Sequence, residues 1–384
     1  MRKSILLLLP FMMGFVDIMS SSAQSAADVN RAIRVDAGYF YDQFTSGESA
    51  ATVANVVVSD IKKAGFNTIF FYAYNSNYGA FYPTKYAQTV VEAGYGRLNI
   101  LGEILKAAHA NGIQLIASFP INDFKQVWKS YSSWRVKNKK MYDYQPYSSV
   151  YLLSAWKTEY VRWYQGLVKD FFNRYPDIDG IEAVEGQVDY FWDGQSDYNS
   201  AATAAFRTAY PNGLLGDANW KKHRALGLTN LHGVAAAIAH SYGKKFYVVQ
   251  TWSAAANGSL LSSSEISNGC GFDFDGILNL PLGKRPDGMV VELNWQQWSA
   301  EYGGALFTPS WSASASTVVS ERVNGRALLI VHIEISPFIG SSGVVVPTEE
   351  EFLENFSGVV AANLKLDVYD YFQLWQNNIF FKLP

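Results

Sequence analysis

The 384-residue chain lacks several of the residue patterns on which enzymes build their sites. Its single cysteine, Cys270, leaves no partner for an internal disulfide, so the fold must rely on its core. The five histidines are scattered, with no His-x-His or His-x-x-x-His pair, and this argues against a zinc site. We therefore expect neither a metal nor a cofactor.

Charge and glycine patterns disfavour further classes of protein. The formal net charge is only −3, which gives no electrostatic reason to expect a nucleic acid or an anionic membrane as partner. No Gly-x-Gly-x-x-Gly turn follows the first predicted strand, and no Gly-x-Ser-x-Gly elbow occurs. These absences argue against nucleotide binding and against serine hydrolase chemistry.

The N-terminal residues have the pattern of a secretory signal peptide, predicted over residues 1–26. Two basic residues precede an apolar stretch, Ile5 to Val16, and a run of small residues ends at Ala26. The apolar stretch is too short to span a bilayer, and Cys270 is too distant to carry a lipid anchor. We expect a periplasmic or secreted protein with no membrane anchor after cleavage.

Strand and helix patterns alternate from residue 27 onward, which predicts βα units around a parallel sheet. Eight strands are predicted, at Ile33–Tyr41, Asn67–Tyr74, Ile113–Pro120, Gly180–Glu185, Lys245–Trp252, Gly288–Trp295, Ala327–Ser336 and Asp367–Trp375. Phe274 to Leu280 competes for the sixth place. The pattern predicts a single-domain α/β fold, a (β/α)8 TIM barrel over residues 27–384, with an insertion at about 122–150. An open doubly wound sheet is the alternative.

The fourth predicted strand carries two carboxylates where a strand must give way to a loop. Parallel barrels place their chemistry at the C-terminal ends of strands, and carboxyl pairs commonly break glycosidic bonds. Period-two alternation makes Glu182 point into the barrel. The candidate catalytic residues are Glu185, Glu182, Glu334 and Asp36. The alternative for each is an inward-facing acid that pairs with an Arg or Lys, or that anchors a loop.

Aromatic side chains are abundant, since 24 Tyr, 24 Phe and 11 Trp make up 15% of the chain. Tyr and Trp offer a sugar both an apolar face and a polar atom, so this composition favours glycan binding. The candidate substrate-binding residues near predicted strand ends are Tyr39, Tyr41, Tyr72, Tyr74, Trp252, Glu292, Trp295, Tyr371 and Trp375. The alternative is that half of these rings fill the top of the barrel.

Several blocks occur in a fixed order along the chain: Tyr39-Phe40-Tyr41-Asp42, Gly65-Phe66-Asn67-Thr68, Phe81-Tyr82-Pro83, Asp179-Gly180-Ile181 and Pro347-Thr348-Glu349-Glu350. In order and spacing they resemble the glycoside-hydrolase domain of the periplasmic poly-β-1,6-N-acetylglucosamine deacetylase/hydrolases of biofilm-forming bacteria. The resemblance covers most of the chain after the signal peptide. It implies a glycoside-hydrolase-like TIM barrel.

The resemblance also implies a function, the cleavage of a bacterial exopolysaccharide such as a poly-N-acetylglucosamine-type polymer. Glu185 would be the proton donor, and the exopolysaccharide machinery a candidate partner. Family members carry Asp-Asp where this chain has Glu185-Gly186, and Glu334 falls where they tend to have glutamine. A non-catalytic glycan-binding barrel that assists polysaccharide export or modification is the alternative. A starch- or cellulose-type glycosidase is disfavoured because Val184, rather than Asn, precedes Glu185.

Overall fold

The computed structural model describes residues 29–40, 47–184, 186–304 and 306–384. Three sequence-based predictions therefore lie outside the described residues: the signal peptide over residues 1–26, the binding role of Tyr41 and the catalytic role of Glu185. In the described ranges, no helix is both long and apolar enough to cross a membrane.

Eight parallel strands close into a barrel, in the order β1-β8-β7-β6-β5-β4-β3-β2. The strands are Arg31–Asp36 (β1), Thr68–Tyr72 (β2), Gln114–Pro120 (β3), Gly180–Val184 (β4), Lys245–Thr251 (β5), Gly288–Glu292 (β6), Leu328–Glu334 (β7) and Lys365–Tyr369 (β8). The predicted single-domain TIM barrel is confirmed, and the open doubly wound sheet is wrong because β1 pairs with both β2 and β8.

Helices surround the barrel and bury its outward-facing strand residues. They are Ala50–Lys63 (α1), Tyr95–Leu98 (α2), Ile100–Ala110 (α3), Lys125–Ser130 (α4), Thr158–Arg174 (α5), Ser200–Ala209 (α6), Ala218–Ser241 (α7), Ser263–Cys270 (α8), Phe274–Leu278 (α9), Trp295–Tyr302 (α10), Pro309–Val323 (α11), Glu349–Ala361 (α12) and Tyr371–Gln376 (α13).

Local sequence signals explain where several helices start. Ser49 accepts the N–H of Thr52 at the start of α1, and Thr348 forms a capping box with Glu351 at the start of α12. In α1 the residues spaced by three and four, such as Val53 and Val57, are buried against the sheet.

Two strand boundaries differ from the prediction for the same physical reason. The eighth strand was expected to run from Asp367 to Trp375, but it ends at Tyr369, and α13 follows. Asp370 ends the strand because its carboxylate accepts the N–H of Gln373, 2.9 Å away, and so caps α13. In β1 the carboxylate of Asp36 accepts the N–H of Gly38 at 2.8 Å, and the chain turns there into a 3₁₀ helix.

One further prediction is corrected. The competing sixth strand at Phe274 to Leu280 is wrong, because this segment forms α9 and the strand lies at Gly288–Glu292. Before α5, Leu152 and Leu153 make single bridges with Asp123 and Arg135 of the insertion.

Candidate active site

The alternation of side chains along the strands sorts the inward-facing residues into layers. Ala32, Phe70, Ile116, Val249 and Val290 belong to an apolar cluster in the lower part of the barrel. One pleat further along the strands is a layer of charged and polar residues: Arg34, Ser118, Glu182, His332 and Asp367. The last inward residues of the strands form the C-terminal mouth, where barrel enzymes carry their chemistry.

The charged layer is sealed and internally paired. Arg34 donates two hydrogen bonds of 2.8 Å to the carboxylate of Glu182 and one of 2.6 Å to Asp367. Ser118 donates to Glu182 at 2.7 Å, and His332 lies 2.6 Å from Asp367. All five side chains are buried. We therefore assign Glu182 to the barrel interior, which is the alternative role that the sequence left open, and not to a reacting pair.

Burial and the charge of Arg34 act in opposite directions on the pKa values of the carboxyls in this layer. Burial disfavours the carboxylate of Asp367, but Arg34 and His332 outweigh that effect and hold its pKa below the usual range. Burial also opposes the charge of His332, but the hydrogen bond to Asp367 raises its pKa. Burial outweighs Arg34 at Glu182 and raises the pKa of that carboxyl, so the charged form is favoured at Asp367 but disfavoured at Glu182.

Four acids lie above this layer at the C-terminal mouth. Asp36, Glu292 and Glu334 are the last residues of β1, β6 and β7, and Asp370 follows β8 directly. These strands are neighbours, in the order β1-β8-β7-β6, so the acids follow one arc of the mouth. Tyr369 links the arc, because Asp370, Asp36 and Glu334 all contribute to the rise in its pKa, after burial.

Glu334 is the acid in this arc with the clearest proton-donor chemistry. Burial, opposed by His332 and reinforced by the neighbouring carboxylate of Glu292, raises the pKa of Glu334 to about 7. Asn294 donates to Glu334 Oε1 at 2.8 Å, and Thr251 donates to Glu292 Oε2 at 2.5 Å. The two carboxyls thus have different surroundings, and such a difference separates acid and base roles in glycosidases.

Asp36 and Asp370 form a second coupled pair on the same arc. Burial raises the pKa of Asp370 to about 7, and the charge of Asp36 adds to that rise although the backbone N–H of Gln373 opposes it. Burial likewise raises the pKa of Asp36, against the hydrogen bond from Gly38. Asp370 Oδ2 is buried and accepts no hydrogen bond from the described residues.

Two clefts open at this mouth. The larger, about 810 Å³, lies over β5 and beside α10, and we call it the ring-lined cleft. Its aromatic residues are Tyr147, Tyr190, Phe191, Trp192, Trp298, Tyr302 and Phe338. The smaller, about 410 Å³, contains Asp36 and Tyr39 together with Tyr78, Glu92 and Tyr95. Thr251, which donates to Glu292, also lines the larger cleft and so connects it to the acids.

The structure separates the predicted binding residues into groups. Tyr39 lines the smaller cleft, and Glu292 belongs to the acid arc. Tyr72 lies inside the barrel, its ring 6.3 Å from that of Tyr369. Tyr74, Trp252, Trp295 and Tyr371 are buried, and Trp375 is exposed on α13. Trp252, for example, stacks on Phe274 and donates to Leu261. The structure places these rings in the interior, and their binding role stays a prediction.

The rings of the larger cleft lie mostly outside the predicted set. Tyr147 belongs to the insertion, and Tyr190, Phe191 and Trp192 follow β4. These four rings could have been found from the sequence, because they cluster in segments with no strand or helix pattern. Such segments are loops, and loops carry binding residues more often than strands do. Asp370 was missed because it was placed in the middle of a strand, whereas it is a helix cap.

No family model and no curated protein sequence is similar enough to match the chain. Solved structures do match. The PgaB (BpsB) glycoside hydrolase domain from Bordetella bronchiseptica has a TM-score of 0.64 at 13% identity, over 92% of this chain and 99% of that domain. The catalytic domain of β-amylase from Paenibacillus polymyxa has a TM-score of 0.58 at 13% identity, over 91% and 94%.

A β-galactosidase from the psychrophilic Marinomonas ef1 has a TM-score of 0.63 at 11% identity, over 88% of this chain and 53% of the enzyme. All three are glycoside hydrolases, and the resemblance drawn from the sequence is confirmed at the level of the fold. In the described residues, no group of three His, Cys, Asp or Glu side chains is placed to hold a metal ion.

Proposed function

We propose that the protein is a glycoside hydrolase that works with carboxyl groups at the C-terminal mouth of its barrel. The observation that carries this proposal is Glu334, a glutamate with a pKa of about 7 beside the carboxylate of Glu292. A protonated carboxyl can protonate the leaving oxygen, while a second carboxylate attacks the sugar or activates water. The ring-lined cleft next to these acids would hold the glycan.

Two assignments of the proton donor compete. Glu185, which directly follows β4, is the donor that the sequence predicts, with Glu182, Glu334 or Asp36 as its partner. The raised pKa of Glu334 supports the reverse assignment, in which Glu334 is the donor and Glu292 or Glu185 is the partner. Single substitutions at these positions separate the two.

We propose that the substrate is a bacterial exopolysaccharide such as a poly-N-acetylglucosamine-type polymer. Two observations support this class: the sequence blocks that resemble the poly-β-1,6-N-acetylglucosamine hydrolases, and the similar fold of the PgaB (BpsB) glycoside hydrolase domain. The predicted signal peptide supports action in the periplasm or outside the cell, where the polysaccharide machinery would be the natural partner.

One observation favours a second function, a non-catalytic glycan-binding barrel. Gly186 stands where the resembling family has the second carboxylate of an Asp-Asp pair. A barrel that had lost this acid would keep its aromatic cleft and bind the polymer without cleaving it.

The test measures new reducing ends released from poly-β-1,6-N-acetylglucosamine, fully or partly N-acetylated, by the wild type and by Glu334→Gln and Glu185→Gln. Loss of a general acid lowers the rate roughly 10²–10⁴-fold. Glu354→Gln, at an exposed position of α12, is the matched control and should retain the wild-type rate. Binding without cleavage by the wild type supports the binding barrel. Full activity of both mouth variants would refute the carboxyl mechanism.

A further inference from the structure

One wall of the ring-lined cleft is formed by aromatic side chains from two loops. The ring of Tyr147 lies 6.0 Å from that of Tyr190 and 5.5 Å from that of Phe191, and Trp192 lines the same cleft. Tyr147 and Phe191 are more than half exposed, at 54% and 53%. Exposed rings of this size, gathered in one cleft, mark a binding surface rather than a core.

Trp192 occupies its place because residue 269 has no side chain. A Cβ added to Gly269, on helix α8, would lie 2.1 Å from Trp192 Cε3 and 2.4 Å from Cδ2. The indole therefore rests directly on the helix backbone, where only glycine leaves room. Trp192 also has a φ of +59°, which is an uncommon conformation for a bulky residue. Such conformations persist where the surroundings fix them, often at ligand sites.

A buried ion pair anchors the loop that carries Tyr190, Phe191 and Trp192. Arg224 Nη1 lies 2.9 Å from Asp189 Oδ2, and neither side chain is exposed. Asp189 Oδ1 accepts the hydroxyl of Tyr144 at 3.0 Å and the N–H of Phe191 at 3.2 Å. Tyr144 in turn accepts the N–H of Tyr190 at 3.0 Å. The wall is thus held in position before any ligand arrives, which reduces the entropy lost on binding.

The polar lining indicates which ligand the wall receives. Gln187, Gln250 and Gln297 contribute amides to the cleft, and Glu301 is the one charged residue among its described lining residues. Amides pair with hydroxyl and acetamido groups, whereas a carboxylate or sulfate on the ligand would meet Glu301 without a cation to balance it.

We infer that Trp192 is the stacking platform for a pyranose unit of the polysaccharide that carries no negative charge, and that Gly269 determines this role by admitting the indole. The inference rests on the proposed function for the kind of ligand, but it concerns binding and not cleavage. It can therefore succeed or fail independently of the hydrolase mechanism.

The test is calorimetric binding of a β-1,6-linked N-acetylglucosamine hexasaccharide in a Glu334→Gln background, which prevents turnover. Trp192→Ala should weaken binding about tenfold, the scale of one lost ring stack. Gly269→Ala should weaken it by a comparable factor, since the new methyl displaces the indole. The double variant should be no weaker than Trp192→Ala alone, because both changes remove the same contact. Gly283→Ala, where an added Cβ meets no atom within 4 Å, is the control and should bind like the background.

The outcomes separate the two proposals. Binding that depends on Trp192, without cleavage by the wild type, would refute the hydrolase and support the stacking platform. Cleavage by the wild type, with Trp192→Ala binding within twofold of its background, would refute the platform and leave the hydrolase standing. No binding by the background protein would overturn the platform. A galacturonic acid hexasaccharide that binds as well as the neutral one would overturn the exclusion of negatively charged sugars.

Discussion

Glu182 lies within β4 and Glu334 at the C-terminal end of β7, and the two glutamates have different surroundings. Glu182 receives two hydrogen bonds from Arg34 and one from Ser118, with no exposure to solvent. Glu334 receives a hydrogen bond from Asn294 and faces the carboxylate of Glu292. Burial raises the pKa of both, against the charge of Arg34 at Glu182, and to about 7 at Glu334. The difference shows that depth along a strand, more than residue type, decides whether an acid pairs with a buried cation or lies beside another acid at the mouth.

The largest expected effect comes from removing the arginine of the charged layer. Arg34→Met removes the partner that Glu182 and Asp367 share, which leaves Glu182 without a cation and Asp367 with His332 alone. Removing one partner of a buried ion pair typically destabilises by about 3–5 kcal/mol. Urea denaturation at neutral pH measures the loss. Arg97→Met, at an exposed arginine on α2, should change stability little. A loss under about 1 kcal/mol for Arg34→Met would contradict a structural role for this layer.

The acids at the C-terminal mouth should control the pH dependence of cleavage. If Glu334 donates the proton, kcat/KM falls above about pH 7, tenfold per pH unit, as the acid form disappears. Asp370 also has a pKa of about 7, and Asp370→Asn keeps an acceptor for the cap of α13. We expect that variant to retain the descending limb. A limb that vanishes in Asp370→Asn and persists in Glu334→Gln would transfer the donor role to Asp370.

At pH 8, Glu334→Gln should change the free energy of unfolding in the opposite direction to Arg34→Met. Because the pKa of Glu334 is raised in the fold, its favourable contribution is present below its ordinary pKa and is lost as the pH rises through about 7. At pH 8 the ionised side chain opposes folding, so Glu334→Gln should stabilise the protein by at most about 3 kcal/mol. At pH 4 the gain should vanish. Denaturation curves at both pH values, with Glu354→Gln alongside, check the sign.

The smallest expected effect concerns the coupled pair Asp36 and Asp370. Since the charge of Asp36 contributes to the raised pKa of Asp370, after burial, Asp36→Asn should lower that pKa, by less than about one unit. Carboxyl-carbon NMR titration of Asp370 measures the shift. An unchanged pKa of Asp370 would mean that burial alone raises it and that Asp36 and Asp370 titrate independently.

Much of the fold followed from local patterns. Period-two alternation placed Glu182 inward, and each of the eight predicted strands overlaps a strand of the barrel. The prediction failed where a single side chain ends an element. Asp370 turns the chain out of β8 by capping α13, and its neighbours, which look like strand residues, gave no sign of this.

The candidate site was less accessible to sequence reasoning. Tyr74 and Trp252 lie near strand ends, as expected, but they are buried. The rings that line the larger cleft come instead from the insertion and from the loop after β4. Loop backbones have no period from which a direction can be read, so only the contacts of Trp192 with Gly269 show where that ring lies.

The sequence alone determined that the chain alternates strands and helices, carries acids at strand ends and is rich in rings, because these depend on neighbouring residues. Only the tertiary structure decided in which direction the surroundings of each acid shift its pKa. Arg34 and Glu182 are 148 residues apart in the chain and 2.8 Å apart in the barrel. Burial and charge at such distances are properties of the closed barrel, since the electrostatic energy of a carboxyl depends on what surrounds it in space.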